Sequence, residues 1–312
     1  MGQGKKGKRK KGGMGYIPYD YESAYRESIE SMNEWFIEQM AGYRKKGLYA
    51  LKEIKAGDQF EVEIYPRFKL LDEVPEEGRR IVKDNSSAQK NLNDRNARKY
   101  LVRLINHNFG EGDLWITLTY DNAHLPADGD IGKALKDVQN YISRVNYQRK
   151  KRGLKRAKYV YVIEYDEAAE IRWHIHIVMD GEMDLDTVEA CWKQSSRNEV
   201  RRTRKDKDGL AGLANYLVKE KKRIRSERRW SSSKKNLKKP DVRIVHSKQP
   251  VKGTGSYKPI SAFIDEMIKN QNYIQEQMKK WYPGMEFAEA EVRYNNFNYM
   301  FYIHARLRRK KE

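Results

Sequence analysis

The chain has 312 residues, enough to bury a substantial core, yet 35% of them are charged and only 38% hydrophobic. Its 64 lysines and arginines against 44 acids leave a net charge of +20, which predicts a polyanionic partner. Membrane is not expected, because no uninterrupted apolar run approaches the roughly 18 residues that a spanning helix needs. The single cysteine, Cys191, excludes a disulfide framework and a cysteine metal site, and fits a reducing cytoplasm.

Residues 1–15, "MGQGKKGKRKKGGMG", predict a disordered basic tail. The tail lacks the apolar segment of a signal peptide, and Lys6 stands where a myristoylation signal wants Ser or Thr. Residues 16–86 form an N-terminal helix and strand region. Tyr25, Ile29, Met32, Phe36 and Met40 recur at helical spacing over 20–45. In "DQFEVEIYPRFKL", Phe60, Val62 and Ile64 alternate with charged residues, predicting a strand that Pro66 ends, and "EVPEEGRR" is a polar connector.

From Ser87 a capped helix carries an apolar stripe through Leu92, Tyr100, Leu101, Leu104 and Ile105 and closes at Gly110. "GDLWITLTYD" has the β-branched and aromatic content of a central strand. A long helix over about 131–152 follows, then a strand over 158–167. A short loop returns the chain into "IRWHIHIVM", so the last two strands predict an antiparallel hairpin.

Two of only six histidines stand one residue apart in that last strand. Side chains alternate along a strand, so His174 and His176 share one face while Trp173, Ile175 and Ile177 take the other. Two imidazoles on one face could share a metal ion, or could simply be half-buried polar residues on a solvated face. Glu164 sharpens the choice. In a register that opposes it to His174 or His176, all three groups converge, whereas a slip of one residue turns it away and leaves Asp166 as the fallback ligand. One carboxylate and two imidazoles, with positions open to water or phosphate oxygen, suit Mg²⁺ or Mn²⁺.

Next, "KDKDGLAGLANYLVKEKKRIRSERRW" puts Leu210, Leu213, Ala214, Leu217 and Ile224 on one helical stripe, with Tyr216 at its edge and Lys219 and Glu220 beside it. A tyrosine there can present its hydroxyl to a groove, although most of the 21 tyrosines must simply pack. Cations flank this helix on both sides. Arg201, Arg202 and Arg204 precede it, and Lys221, Lys222, Arg223, Arg225, Arg228 and Arg229 follow, with Trp230 available to stack on a base. Residues 246–312 predict an extension with a helix over about 260–281 and a strand pair in "AEAEVRYNNFNYMFYIHARL", where His304 is read as packing.

The order "WITLTYD", Glu164 with "HIHIV", then "YLVKE" resembles the HUH endonuclease superfamily, in particular the single-tyrosine rolling-circle replication initiator (Rep) proteins of phages, plasmids and small DNA viruses. The resemblance covers residues 87–245. It implies an α+β fold whose central antiparallel sheet, with a ferredoxin- or RRM-like core, carries the His-x-His site and is flanked by helices. It further implies His174, His176 and Glu164 as metal ligands, Tyr216 as nucleophile and Lys219 as the lysine of the tyrosine-x-x-lysine motif. Glu220 stands where two-tyrosine members place a second nucleophile. "VKGTGSYKP" lacks the Gly-x-x-x-x-Gly-Lys-Ser/Thr order of a Walker A loop, so a fused helicase is not expected.

The implied activity is metal-dependent nicking and joining of single-stranded or extruded origin DNA through a 5′-phosphotyrosine, with a host helicase and polymerase as partners in a bacterial cytoplasm. A relaxase or single-strand transposase would use the same site. A basic nucleic-acid-binding protein in which "HIHIV" is incidental is the non-enzymatic alternative.

Overall fold

A computed structural model describes residues 33–35, 48–67, 87–166, 170–217, 230–245, 260–295 and 300–310. The elements in chain order are β1 (Leu48–Ala56), β2 (Gln59–Arg67), α1 (Ser87–Asn108), β3 (Leu114–Thr119), α2 (Ile131–Lys151), β4 (Tyr159–Asp166), β5 (Ile171–Met179), α3 (Leu185–Ala190), β6 (Glu199–Arg202) and α4 (Ala211–Leu217). After them come β7 (Ser231–Ser232), β8 (Asp241–Val245), α5 (Ser261–Lys269), α6 (Gln271–Trp281), β9 (Met285–Asn295) and β10 (Met300–Arg309).

The fold is mixed α+β, with two five-stranded antiparallel sheets. The central sheet has the order β6-β3-β5-β4-β7, and the second, here the terminal sheet, has the order β8-β1-β2-β10-β9. Strand alternation gives the central sheet two apolar faces. Leu114, Ile116, Leu118, Ile175, Ile177 and Met179 pack against Ala134, Val138, Tyr141 and Val145 of α2. Trp115, Val160, Val162 and Val178 pack against Leu101, Leu104 and Ile105 of α1 and Leu210, Ala214 and Leu217 in and beside α4. Helix α2 starts where Asp130 accepts from Lys133 N at 3.0 Å, and it ends on Arg149, Lys150 and Lys151, which complement the negative end of its dipole.

The terminal sheet was not foreseen as one unit. β1 was missed altogether, and the predicted strand pair near the C-terminus forms β9 and β10, with β10 lying beside β2. Val62 and Ile64 face the core that α5 and α6 close, as their alternation predicts. Pro66 stays inside β2, opposite Tyr49, where it does not end the strand. The β10 pairing stops at Ile64, so the missing N–H of Pro66 breaks no bond on that side. The single helix predicted over 260–281 is two, because Asn270 turns extended (φ −137°, ψ 106°) and its side chain caps Asn272 N at 2.9 Å. The tail, the polar connector and nearly all of the helix over 20–45 lie outside the described residues.

Helix α1 lies between the sheets. Its apolar stripe covers the central sheet, while Arg103 donates from Nε and Nη2 to Glu61 (3.1 and 2.7 Å) and from Nη2 to Glu63 (2.6 Å) on β2. His304 on β10 donates from Nε2 to Glu61 at 2.8 Å, so the packing read for it is within a polar cluster. Glu61, Glu63 and His304 bring ligand atoms close enough for a cation, and the Arg103 guanidinium already supplies the charge there. Burial alone would raise the Glu61 carboxyl. The His304 hydrogen bond and the hydrogen bond and charge of Arg103 outweigh it and hold the pKa down at about 2, from an ordinary 4.5.

A depressed carboxylate pKa contributes stability that is fully present above the unfolded value and is lost as pH falls through the folded one. We therefore expect Glu61→Gln to cost about 2–3 kcal/mol at pH 7. The gap to wild type should close between about pH 4.5 and 2, read from urea unfolding curves of both proteins across that range.

Candidate metal centre and nucleophile

The β4–β5 hairpin opposes Glu164 to His174 and Val162 to His176, and β3 opposes Thr119 to His174 and Thr117 to His176. This register brings the three predicted ligands onto the sheet face that α1 and α4 cover, while Trp173, Ile175 and Ile177 go to the α2 side. Glu164 Oε2 stands 2.7 Å from His174 Nε2 and 3.8 Å from His176 Nε2. Asp166 lies past an irregularity in the ladder, opposite Ile171.

The outer contacts orient the rings. The carbonyl of Arg172 takes the Nδ1 proton of His174 at 2.8 Å, which leaves Nε2 as the atom facing Glu164. His176 Nδ1 meets the Thr117 hydroxyl at 3.2 Å, again turning Nε2 toward the carboxylate. Ligand atoms of Glu164, His174 and His176 all fall within 4.8 Å of one another, so the three could hold a metal ion. A buried carboxylate beside two imidazoles whose far nitrogens are already hydrogen-bonded is a donor set that fits a divalent cation.

Tyr216 comes from α4, whose buried side is Ala211, Ala214 and Leu217. At the edge of that side it remains 43% exposed. Its ring meets His176 edge-on at 5.4 Å and 74°, and meets Trp115 at 5.9 Å. Trp115 in turn stacks on His176 at 5.1 Å and 22°. The hydroxyl-bearing ring, the indole and the imidazole thus form one aromatic corner. Trp115 and Thr117 stand in the motif "WITLTYD", but the sequence assigns neither of them a place in the site. What marks them is parity with the histidines, and that shows only once β3 is known to lie beside β5.

The predicted cations divide. Arg201 opposes Trp115 in the β3–β6 ladder and so projects on the tyrosine face, exposed, with Glu199 at 3.5 Å. Arg202 opposes Leu114 on the other face. There it donates from Nη1 to the carbonyls of Gly112 (2.8 Å) and Gly181 (2.6 Å) and from Nη2 to that of Met183 (3.1 Å), tying the turn before β3 to the loop after β5. Arg204 is exposed. Trp230 stacks on Tyr100 at 6.1 Å and donates from Nε1 to the Ala97 carbonyl at 3.3 Å, so part of its surface is used in packing on α1. Lys219, Lys221, Lys222, Arg223, Arg225, Arg228 and Arg229 lie outside the described residues.

Residues 113–221 match the family described as Replication-associated protein ORF2/G2P. That match supports a replication initiator of the Rep type. It spans β3 to α4 and so contains every residue of the aromatic corner and of the metal-capable group. No curated protein and no solved structure matches the chain. Among the described residues no helix is long and apolar enough to cross a membrane.

The donor set makes a direct prediction. Mn²⁺ titrated into the protein should bind at one site by calorimetry, and His174→Ala or Glu164→Ala should each weaken that binding by about tenfold or more. Glu63→Gln, in the cluster already filled by Arg103, should leave it unchanged.

Proposed function

We propose that this protein nicks and rejoins single-stranded or extruded origin DNA through Tyr216, and so starts rolling-circle replication of a phage, plasmid or integrated mobile element. The observation that carries the reading is the half-exposed Tyr216 ring set edge-on against His176, beside the Glu164, His174 and His176 group. The replication-associated match over the same segment supports it.

In the proposed reaction the Tyr216 oxygen forms a bond to phosphorus, and the bond from phosphorus to the 3′-oxygen breaks. The tyrosine gives up its proton and the departing 3′-oxygen gains one, leaving a 5′-phosphotyrosine and a free 3′-hydroxyl. The reverse displacement rejoins the strand without ATP, because the phosphodiester energy is kept in the tyrosyl ester. A tyrosine hydroxyl, with a reference pKa of about 10, is a weak nucleophile at neutral pH and needs the phosphate made more receptive. A divalent ion held by Glu164, His174 and His176, Mg²⁺ or Mn²⁺ in this proposal, would supply that by drawing charge from the phosphate oxygens.

The chain's own residues do the rest. Thr117 and the Arg172 carbonyl aim the imidazoles, and Trp115 holds the His176 and Tyr216 rings against each other. Arg201 offers a positive charge on the same face for a flanking phosphate. Lys219, next along from α4, is assigned to neutralise charge on the scissile phosphate. Host helicase and polymerase would then act on the opened strand and its 3′-hydroxyl.

Incubation of labelled single-stranded origin DNA with protein and Mn²⁺ should give a covalent adduct that EDTA abolishes. Tyr216→Phe, which removes only the hydroxyl, should lower adduct formation by about a thousandfold or more. Salt-sensitive binding that survives EDTA and Tyr216→Phe, with no adduct, would instead make the protein a binding module. Arg201→Ala and Arg202→Ala should separate cleanly. Arg201→Ala should weaken DNA binding and reduce the salt slope by about 1 at unchanged stability. Arg202→Ala should lower unfolding stability by about 1–3 kcal/mol while leaving that slope alone.

A further inference from the structure

We propose that the terminal sheet positions the nucleophile: Gln59 of β2 and Arg308 of β10 hold the turn from which α4 starts, and thereby set where Tyr216 stands over His176. The inference rests on the reading of Tyr216 as nucleophile and gives a task to strands outside the family-matched segment.

Helix α4 is described over Ala211–Leu217, and what fixes its direction is the set of groups that hold its start. Its apolar side is anchored on the central sheet, and its first turn is anchored by polar groups from elsewhere. The turn before it closes on itself, with Asp206 N donating to the Gly209 carbonyl at 3.0 Å, Gly209 N to the Asp206 carbonyl at 3.2 Å, and Asp208 N to Asp206 Oδ1 at 2.6 Å. The Asp208 carbonyl then accepts from Ala211 N at 3.3 Å and from Gln59 Nε2 at 2.7 Å, and its carboxylate accepts from Arg308 Nε at 2.9 Å. Gln59 and Arg308 are direct cross-strand partners, so one face of the terminal sheet presents both donors together.

A third group completes the clamp. Leu210 N donates to Asn106 Oδ1 at 2.7 Å, and Asn106 Nδ2 donates to Gln59 Oε1 at 3.0 Å. The fit leaves no slack. Gly209 has φ +71°, and a Cβ there would come within 2.7 Å of Asn106 Oδ1. The turn is therefore fixed in three directions by α1, β2 and β10 before the chain rises to Tyr216.

The lever is short and stiff. Tyr216 lies six residues above Leu210, about 9 Å of helix rise, so a tilt of about 10° at the base moves the tyrosine by roughly 1.5 Å. Misplacement of about 1 Å in a reacting group can cost on the order of a hundredfold in rate. Gln59 and Arg308 touch neither the metal-capable group nor the aromatic corner, so they are positioning residues.

The test uses the full chain with Arg308→Met, which keeps the stem and removes the donors, and Arg308→Lys, which keeps a cation. The control is Arg306→Met, on the same face of β10 but paired to Glu289. Single-turnover adduct formation is measured at saturating single-stranded DNA and Mn²⁺, well below each Tm, with DNA Kd measured separately. Arg308→Met should slow the adduct step about tenfold or more with Kd and Mn²⁺ binding within about twofold of wild type. Arg308→Lys should recover part of the rate, and Arg306→Met should not differ from wild type.

A second readout does not depend on activity. With 3-fluorotyrosine in place of Tyr216, Arg308→Met should shift or broaden the fluorine resonance and Arg306→Met should not. An unmoved resonance with an unchanged rate, even if Tm falls, would overturn the positioning role. Loss of DNA affinity at an unchanged saturated rate would also overturn it, by making Arg308 a DNA contact. If wild type forms no adduct but the resonance moves, the nicking reading fails and the positioning stands.

Discussion

Helix α1 must satisfy two sheets at once, and most of the architecture follows from how it does so. Leu101, Leu104 and Ile105 lie at i, i+3 and i+4 spacing and enter the core above the central sheet. Arg103 and Asn106, on the other side, meet Glu61, Glu63 and Gln59 of the terminal sheet. The seam between the sheets is consequently polar and largely buried. Such a seam gives little net stability compared with an apolar one, but every misaligned docking leaves a charge or an amide without its partner. That makes α1 a register pin. It fixes the terminal sheet along the helix, and through Asn106 it fixes the start of α4 as well.

The candidate site is a second consequence of register, this time within the central sheet. Parity alone sends His174 and His176 to the α1 and α4 face. Pairing with β4 then decides whether a carboxylate joins them, and pairing with β3 decides whether a hydroxyl and an indole do. The observed ladders bring all of these to one corner. The net positive charge of the chain draws a polyanion to the surface in general, but Arg201 differs from Arg202 only by the one-residue step that turns a strand side chain over.

How much of this the amino-acid sequence discloses depends on the distance over which each feature is decided. The histidine strand, its face and its hairpin partner are settled within about twenty residues, and there the alternation was legible, whereas the register left Glu164 free to meet His174, to meet His176 or to turn away, and only the ladder places it opposite His174. Helix α1 was likewise readable from Leu101, Leu104 and Ile105, although Tyr100, read into the same stripe, stays exposed, and α2 was readable as a long helix over about 131–152. β1 was not. Its Tyr49, Leu51, Ile54 and Ala56 are all buried because the strand has a core on one side and the polar seam on the other, so clean alternation is lost. Glu61 and Glu63 look like a solvated strand face, and only β10, some 240 residues away, and α1 reveal that they are covered. His304 is the same case from the other end: its partner lies on β2. The separation of Arg201 from Arg202 needed the β3 register, which no local pattern supplies.

The matched segment, residues 113–221, is not a closed physical unit. It carries the metal-capable group and Tyr216, yet the core beneath Tyr216 is completed by Leu101, Leu104 and Ile105, which lie before it. Those residues sit on a helix whose opposite side is charged and is matched only by the terminal sheet. Removing that sheet would expose Arg103 and Asn106 and release the first turn of α4 at Asp208. The geometry of the tyrosine corner is therefore a property of the longer chain. The match covers the metal-capable group and Tyr216, and the flanking strands hold the turn and the helix on which that corner rests.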